Sequence, residues 1–402
     1  MKSVILIVGL ALVVGATALL AGDAVVPQKS AAVSFRSVVT ANGPVLYPYS
    51  IAAGDLTHNG IPDLAVVGVE EPALLHGLGK GNGRFDRWSD TGNAGDAPDF
   101  VIFADVDLDG NLDAVSADGD EPFVTVAFGD GKGNFNHGVQ PRTGRGYDTQ
   151  EVAVADLNGD GIPDLVGTSI GAAGSPGGIF ILLGKGNRTF AKAVNISSGG
   201  HKPNGIAVGD LNHDGIPDLV VANSLSSSGP GNVAVLLGKG DGTFEKPVRY
   251  QAGVYSPWQV VLGDFNGDGN LDLAVLTIDG DDEDKIYVLL GNGDGTFGKA
   301  KAYRSGMYPG SIAVADFNGD GILDLAVANV TGPKPSHISI LLGNGNGTFQ
   351  PPIAFPVGVN PASLITADFN HDGKPDLAAL TGSSGITVLL NTTPFPTQPA
   401  SH

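Results

Sequence analysis

The sequence predicts an all-β chain folded as a seven-bladed β-propeller of four-stranded blades, with the ring closed by an N-terminal strand. Two observations predict this fold. An acidic nine-residue motif recurs seven times at intervals of 50 to 54 residues, and a Gly-rich motif between two apolar runs follows each of the first six copies. Such regular spacing indicates a repeat architecture, and four short strands per repeat are typical of a propeller.

The strands of one repeat can be placed around these motifs. In the sixth repeat, strand A is predicted at 312–315, strand B at 325–328, strand C at 338–342, and strand D from Phe349 onward. The acidic motif lies between strands A and B, and the Gly-rich motif forms the hairpin between strands C and D.

The seventh repeat lacks a strand D of its own. Phe35 lies 20 residues before Asp55, as Phe244 lies 20 residues before Asp264. Residues 33–39 are therefore predicted to pair with strand C of the last repeat, which removes an open sheet edge. The propeller is expected over residues 32–391, with a flexible Pro-rich tail at 392–402.

Composition excludes several classes of protein. The 402 residues contain no Cys, and 42 Asp and Glu against 22 Lys and Arg give a net charge of −20. Without Cys there are no disulfides, thiol nucleophiles or Cys-based metal sites. Without a basic face, nucleic acid is not an expected partner, whereas the acidic balance suits cations.

The N-terminus indicates export. Lys2 precedes an uncharged apolar run at 4–21, in which Ala16, Thr17 and Ala18 offer a small-residue cleavage pattern. We interpret residues 1–24 as a signal peptide, with an uncleaved membrane anchor as the alternative. The protein is expected to be a monomer that is secreted, periplasmic or on the cell surface. Contact with a membrane is expected only through that N-terminal segment, if it stays uncleaved.

The seven acidic motifs, loops 1 to 7, read D-x-[DNT]-x-[DN]-G-x-x-D and are predicted to bind Ca²⁺, up to seven ions in all. Positions 1, 3 and 5 place oxygens on one side of a tight turn, Gly at position 6 permits the bend, position 7 offers its carbonyl, and position 9 a carboxylate. Because no ligand position holds His or Cys, zinc and copper fit poorly. The alternative is that Asp, Asn and Gly only form turns.

The predicted ligands, at positions 1, 3, 5, 7 and 9 of each loop, are Asp55, Thr57, Asn59, Ile61 and Asp63; Asp105, Asp107, Asp109, Asn111 and Asp113; Asp156, Asn158, Asp160, Ile162 and Asp164; Asp210, Asn212, Asp214, Ile216 and Asp218; Asp264, Asn266, Asp268, Asn270 and Asp272; Asp316, Asn318, Asp320, Ile322 and Asp324; and Asp368, Asn370, Asp372, Lys374 and Asp376. Loop 2, with four carboxylates, is expected to fill first, and loop 1, with two, last. The histidines at position 4, His58, His213 and His371, are expected to point to solvent.

These repeats resemble the FG-GAP/VCBS repeats of the integrin alpha-chain propeller and its bacterial relatives, over roughly residues 33–390. The resemblance implies a seven-bladed propeller of a bacterial-type exported protein, calcium between strands A and B, and a role in adhesion or ligand binding. In loop 6 it carries over to Asp316, Asn318, Asp320 and Asp324. The Gly-Ala-Pro element of integrin repeats is not present as such.

The turns from strand D to the next strand A are predicted to surround the channel mouth on the face opposite the loops. Ring side chains recur there, eight or nine residues before most loops. They either face a ligand or pack against the neighbouring blade. The candidate ligand residues are Tyr47, Tyr147, His201, Tyr255 and Tyr308, with Trp258 beside them.

Binding is expected rather than catalysis, because no nucleophile-elbow or zinc-protease motif appears. The predicted function is an exported calcium-binding propeller that acts as an adhesion, scaffold or ligand-binding module for an extracellular glycan or protein. The alternative is a calcium-dependent polysaccharide lyase or another glycan-active enzyme.

Overall fold

The computed structural model describes residues 33–40, 48–68, 71–86, 88–91, 95, 97–144, 148–171, 177–224, 230–253, 256–278, 284–330, 336–382 and 385–395. In these ranges the chain forms seven four-stranded antiparallel sheets and no helix. The seven sheets are the blades of a β-propeller, so the fold class predicted from the sequence is confirmed. The same ranges contain no helix of the length and apolarity needed to cross a bilayer.

Each blade contains strands A to D in order across its sheet, and strand D of blade 7 comes from the N-terminus. That strand is β1 (Phe35–Thr40). Blade 1 contains β2 (Pro48–Gly54), β3 (Asp63–Gly68), β4 (Glu71–Gly77) and β5 (Ser89–Asp90). Blade 2 contains β6 (Pro98–Ala104), β7 (Asp113–Asp118), β8 (Val124–Gly129) and β9 (Phe135–Val139). Blade 3 contains β10 (Thr149–Ala155), β11 (Asp164–Ser169), β12 (Gly178–Leu182) and β13 (Val194–Ile196).

The remaining blades repeat this order. Blade 4 contains β14 (Pro203–Gly209), β15 (Asp218–Asn223), β16 (Asn232–Leu236) and β17 (Val248–Tyr250). Blade 5 contains β18 (Ser256–Gly263), β19 (Asp272–Ile278), β20 (Asp284–Leu289) and β21 (Lys301–Gly306). Blade 6 contains β22 (Pro309–Ala315), β23 (Asp324–Asn329), β24 (His337–Leu341) and β25 (Ile353–Pro356). Blade 7 contains β26 (Leu364–Ala367), β27 (Asp376–Thr381) and β28 (Gly385–Asn391), followed across the sheet by β1.

The seven A strands form the inner ring, since each contacts the A strands of both neighbouring blades. Strand A is the edge of its sheet, so every second backbone N–H on it has no ladder partner. At three blade junctions a side chain from the preceding blade accepts that N–H. The pairs are Ser50 Oγ with Val101 N at 3.2 Å, Glu151 Oε2 with Ile206 N at 2.9 Å, and Gln259 Oε1 with Ile312 N at 3.0 Å.

The hydrophobic core is divided among the blade junctions. Seven clusters of buried apolar side chains each combine residues of two adjacent blades, one cluster for each junction of the ring. At the junction of blades 7 and 1, for example, Phe369 and Leu390 pack with Ile51 and Leu64. Because neighbours cover both faces of a blade, the B strands are buried along their whole length, as in β3 and β15.

The ring is closed as predicted, by pairing of β1 with β28. The antiparallel register runs from Phe35 opposite Asn391 to Thr40 opposite Ile386. Beyond the strand, Thr392 N–H donates to the carbonyl of Ser34 at 2.8 Å, and Ser34 N–H donates to Thr393 Oγ1 at 3.0 Å. The closing strand therefore lies one to two residues later than the sequence placed it.

Strand D of blade 6 begins later than predicted. Phe349 forms only an isolated bridge with Gly343, and the regular strand β25 starts at Ile353. Pro351 and Pro352 lie between them. Blades 3 and 5 show the same gap without proline, from Phe190 to Val194 and from Phe297 to Lys301, so the gap belongs to the hairpin and not to the prolines.

Candidate metal loops and the opposite face

The seven acidic loops share one hydrogen-bonded turn. In every loop the position-1 carboxylate accepts the N–H of the position-6 glycine at 2.7–2.9 Å. The position-5 side chain accepts the position-7 N–H at 2.7–3.1 Å. The position-6 glycines have φ between 79° and 88°, a conformation that favours glycine. The turn therefore wraps around the position-1 carboxylate.

The position-9 aspartates anchor the loops to their blades. In every loop one carboxylate oxygen accepts the position-2 N–H at 2.8–3.0 Å. The other accepts an N–H at the end of strand C at 2.6–2.9 Å. That second donor is a glycine in six blades and Asn391 in blade 7. The sequence motif did not reveal this structural role.

The loops concentrate negative charge that the protein offsets only in part. Burial, followed by repulsion from carboxylates of the same loop, raises the pKa of Asp113 and Asp376 to about 7 and that of Asp324 to about 8. The pKa of Asp105 is also raised, by burial and then by Asp107 and Asp109. A cation at the loops would therefore relieve an unfavourable interaction.

The donor groups fit a calcium ion. In loop 2, oxygens of Asp105, Asp107 and Asp109 all lie within 4.8 Å of one another. In loops 3, 4, 5 and 7, Nδ2 of the position-3 asparagine lies 2.9–3.2 Å from the position-5 carboxylate, so these side chains also converge. An oxygen-rich set on a tight turn is the kind of site that Ca²⁺ prefers. Calcium binding itself stays a prediction.

Loop 2 already contacts a cation of the protein. Arg188, in the C–D hairpin of blade 3, donates from Nε to Asp107 at 2.5 Å and from Nη2 to Asp109 at 3.3 Å. Its guanidinium lies over the ring of Phe128 in blade 2, 4.6 Å from the centroid. Arg188 could not be recognised from the sequence, because it belongs to a different repeat from the loop it contacts.

The position-4 histidines do more than face solvent. His58 and His213 are exposed, but His58 Nε2 lies 2.9 Å from Asn111 Oδ1 and His213 Nε2 lies 2.8 Å from Asn270 Oδ1. Both asparagines are at position 7 of the next loop. Position 4 has φ between 58° and 76° in all seven loops, and three of the loops have Gly there.

On the opposite face, the structure describes three of the six candidate ligand residues. His201 is exposed, Trp258 is 40% exposed and Tyr308 is 55% exposed. Trp258 and Tyr308 are therefore not buried against a neighbouring blade. Three further candidates, Tyr47, Tyr147 and Tyr255, lie outside the described residues.

A second ring of residues at the same mouth was not predicted as a set, although its member Trp258 was among the candidate ligand residues. It lies six residues before each loop, near the start of strand A, and in blades 1 to 6 it coincides with a shift in the register between strands A and B. Such β-bulges redirect side chains and obscure the alternation from which strand faces are predicted. We call these residues the bulge ring: Tyr49, Asp99, Gln150, Asn204, Trp258, Gly310 and Ala362.

The bulge ring is uneven in character. Tyr49 is 54% exposed, so Tyr49 and Trp258 offer the large apolar surfaces. Burial, and then repulsion from Asp148, Asp120 and Asp118, raises the pKa of Asp99 to about 6. The arc over blades 2 and 3 is therefore acidic, whereas small residues occupy blades 6 and 7.

Comparison with known proteins places these features in context. The profile of the FG-GAP-like repeat matches residues 105–167, 170–221, 222–275, 264–327 and 316–379. Integrin alpha-PS5 of Drosophila melanogaster is 31% identical over 158 residues, which are 35% of this chain and 15% of the integrin. The matched segment thus spans less than a fifth of that curated relative.

Two lectins of known structure share the fold. One is an Agrocybe aegerita lectin, solved to explain recognition of non-reducing terminal N-acetylglucosamine, with a TM-score of 0.52, 20% identity, and coverage of 89% of this chain and 86% of the lectin. The other is a lectin from Burkholderia pseudomallei, with a TM-score of 0.63, 13% identity, and coverage of 87% and 97%. At these identities the likeness concerns the fold alone.

Proposed function

Because the chain belongs to the FG-GAP-like repeat family, we propose that it is an exported, calcium-binding propeller that binds a carbohydrate at the mouth of its central channel. The family membership and the lectin-like fold support a ligand-binding propeller. Calcium, export and the choice of ligand are the parts of the proposal that experiments must decide.

Calcium has a structural role in this proposal. The ion would add positive charge among the carboxylates of each loop, whose backbone already forms the turn. Positions 1, 3, 5 and 9 would supply side-chain oxygens, and position 7 its carbonyl. Since the position-9 aspartates bond both to their own loop and to strand C, metal in a loop would stiffen the blade that carries it.

The ligand site rests on one observation, the exposure of Tyr49 and Trp258 on β-bulges of the inner ring. They belong to blades 1 and 5, and blades 6 and 7 between them place only Gly310 and Ala362 at the same position. The two large aromatic side chains are therefore separated by two blades whose side chains at this position are small. Flat apolar faces with a polar edge suit the faces of sugar rings.

The charge of the mouth favours a neutral or cationic sugar. Burial, and then repulsion from Asp148, Asp120 and Asp118, raises the pKa of Asp99, so these carboxyl groups lie near one another. Arg142, a cation on this face, has its guanidinium over the ring of Phe123, 4.7 Å from the centroid. An anionic polysaccharide, the substrate of the lyase alternative, would meet repulsion from the acidic arc.

A glycan array tests this site with calcium held constant. The double variant Tyr49→Ala/Trp258→Ala should lose at least about tenfold in affinity for the glycans that the parent binds, because both stacking faces are gone. Its melting temperature should stay close to that of the parent, since both side chains are exposed.

The control is Val248→Ala, which removes an equally exposed apolar side chain from the outer strand β17. It should bind as the parent does. Unchanged glycan binding by the double variant would place the ligand site elsewhere. Absence of any glycan ligand for the parent, in calcium as in EDTA, would refute the carbohydrate proposal.

A further inference from the structure

Three residues at the junction of blades 2 and 3 differ from their counterparts in the other repeats. Asp107 occupies loop position 3, where the other loops have Asn or Thr. Phe128 ends strand C, where the other blades have Leu. Arg188 occupies a position in the C–D hairpin where the other hairpins have Gly83, Gly133, Gly242, Gly295 and Gly347.

The structure brings these three exceptions into contact. At the other hairpins, a Cβ on the glycine would meet the strand-C leucine of the preceding blade, at 2.6 Å from Leu237 for Gly295 and 2.5 Å from Leu290 for Gly347. At this junction the ring of Phe128 instead lies beneath the guanidinium of Arg188. The Nε and Nη2 groups of the same guanidinium donate to Asp107 and Asp109.

Arg188 keeps a backbone conformation that suits glycine. Its φ is 63°, close to the 72° to 84° of the five glycines at this hairpin position. An L residue with a side chain adopts this region at an energetic cost, and such strain persists where the surroundings compensate for it. Here the compensation is the stack on Phe128 and the two bonds to loop 2.

The charges at the junction also compensate one another. Loop 2 has four carboxylates, whereas loops 3 to 7 have three each. The guanidinium returns the local charge to that of the other loops. It also covers its partner, because the side chain of Asp107 is only 5% exposed. Asp107 is therefore engaged by a protein cation at the position where the other loops present a neutral side chain.

We propose that Arg188 is an internal cation of loop 2. Its guanidinium supplies part of the positive charge that Ca²⁺ would otherwise bring to the loop. The junction of blades 2 and 3 then keeps its shape without Ca²⁺, and loop 2 binds Ca²⁺ more weakly than its four carboxylates imply. This rests on the calcium-binding part of the proposed function. It reverses the expectation from charge count alone that loop 2 fills first.

The test compares Arg188→Gln with Arg188→Lys. Both variants keep a side chain in the left-handed conformation, so backbone strain is matched, but only Gln removes the charge. In calcium titrations of the metal-free protein against a competing chelator, Arg188→Gln should show one site tightened by about tenfold, since a positive charge beside a dication is gone. Arg188→Lys should stay near the parent. In EDTA, Arg188→Gln should melt lower than Arg188→Lys.

A second variant assigns the effect to loop 2. Asp105→Asn removes a carboxylate at position 1 of that loop, and in this background Arg188→Gln should no longer tighten any site. Equal calcium affinities and equal EDTA melts for Arg188→Gln, Arg188→Lys and the parent would overturn the inference and leave the proposed function standing. Absence of calcium binding in the parent would instead overturn the proposed calcium function, and the inference with it.

Discussion

Glu151 is an acid buried in the inner ring of strands. Its Oε2 accepts the N–H of Ile206 at 2.9 Å, and burial raises its pKa to about 8. At neutral pH the folded chain therefore holds this carboxyl protonated, whereas the unfolded chain, with an ordinary pKa near 4.5, leaves it ionised. Between these two pKa values the folded state therefore binds one proton more than the unfolded state.

This difference gives a pH dependence with a definite sign. The stabilisation from Glu151 is complete below the unfolded pKa and is lost as pH rises through the folded pKa, at a slope of about 1.4 kcal/mol per pH unit. Glu151→Gln should remove that contribution. The free energy of unfolding of the variant, measured in urea, should therefore fall less than that of the parent between pH 5 and pH 8.

Another blade already has glutamine at this position. Gln259 occupies the matching position in blade 5 and accepts an N–H of the next blade through Oε1. The control is Glu121→Gln on a B–C loop, which should keep the pH profile of the parent. Parallel curves for Glu151→Gln and the parent would contradict the predicted protonation.

At this scale the sequence predicted some residues and missed others for a physical reason. The loop aspartates could be identified because they recur at fixed positions. Glu151 and Arg188 could not, because each acts across a blade junction. Their partners, such as Ile206 for Glu151, lie in the next repeat, and no local pattern records that distance.

Among the elements, β1 differs from the other strands because it pairs with the far end of the chain. It covers the edge of β28 from Phe35 to Thr40, with Val38 in the core of the junction of blades 7 and 1. Without β1, the N–H and C=O groups of that edge would be open to pairing with another molecule.

Deleting residues through Thr40 should therefore lower the melting temperature and promote aggregation. The control is a deletion that stops at residue 32 and keeps β1. Light scattering measures the aggregation of both proteins, and a thermal melt measures their stability. A protein without β1 that stays monomeric and melts like the control would show that β28 does not need this partner.

The elements show where periodicity succeeds and where it fails as a predictor. Strands A, B and C were placed within a few residues because apolar runs and acidic loops bound them. Strand D of blade 6 was placed too early, since the Phe of the Gly-rich motif forms only an isolated bridge and the regular strand starts after it. The register shift in strand A leaves no mark in the sequence, which is why Tyr49 was not recognised as part of the mouth.

For the whole molecule, the loops predict that calcium and stability are linked. Any ion that binds only the folded state stabilises it by mass action, by about 1.4 kcal/mol per site at ten times the dissociation constant. Extracellular calcium modules bind at about 10⁻⁴ to 10⁻³ M. Millimolar Ca²⁺ should therefore raise the melting temperature by several degrees above that in EDTA, and Mg²⁺ at equal concentration should act more weakly. Identical melts in calcium and EDTA would contradict metal binding at the loops.

The pairing that closes the ring also sets the order of events in folding. Ser34 and Thr393 hydrogen-bond across 359 residues of chain, so β1 needs a partner strand that is translated long after it. Joining such distant ends costs about 2 to 3 kcal/mol more entropy than closing a loop of about 20 residues. Blades 1 to 6 can stack as each is completed, whereas blade 7 cannot be completed until β28 has been translated. We therefore expect the pairing of β1 with β28 to be a late and slow step of folding, because it joins strands far apart in the sequence.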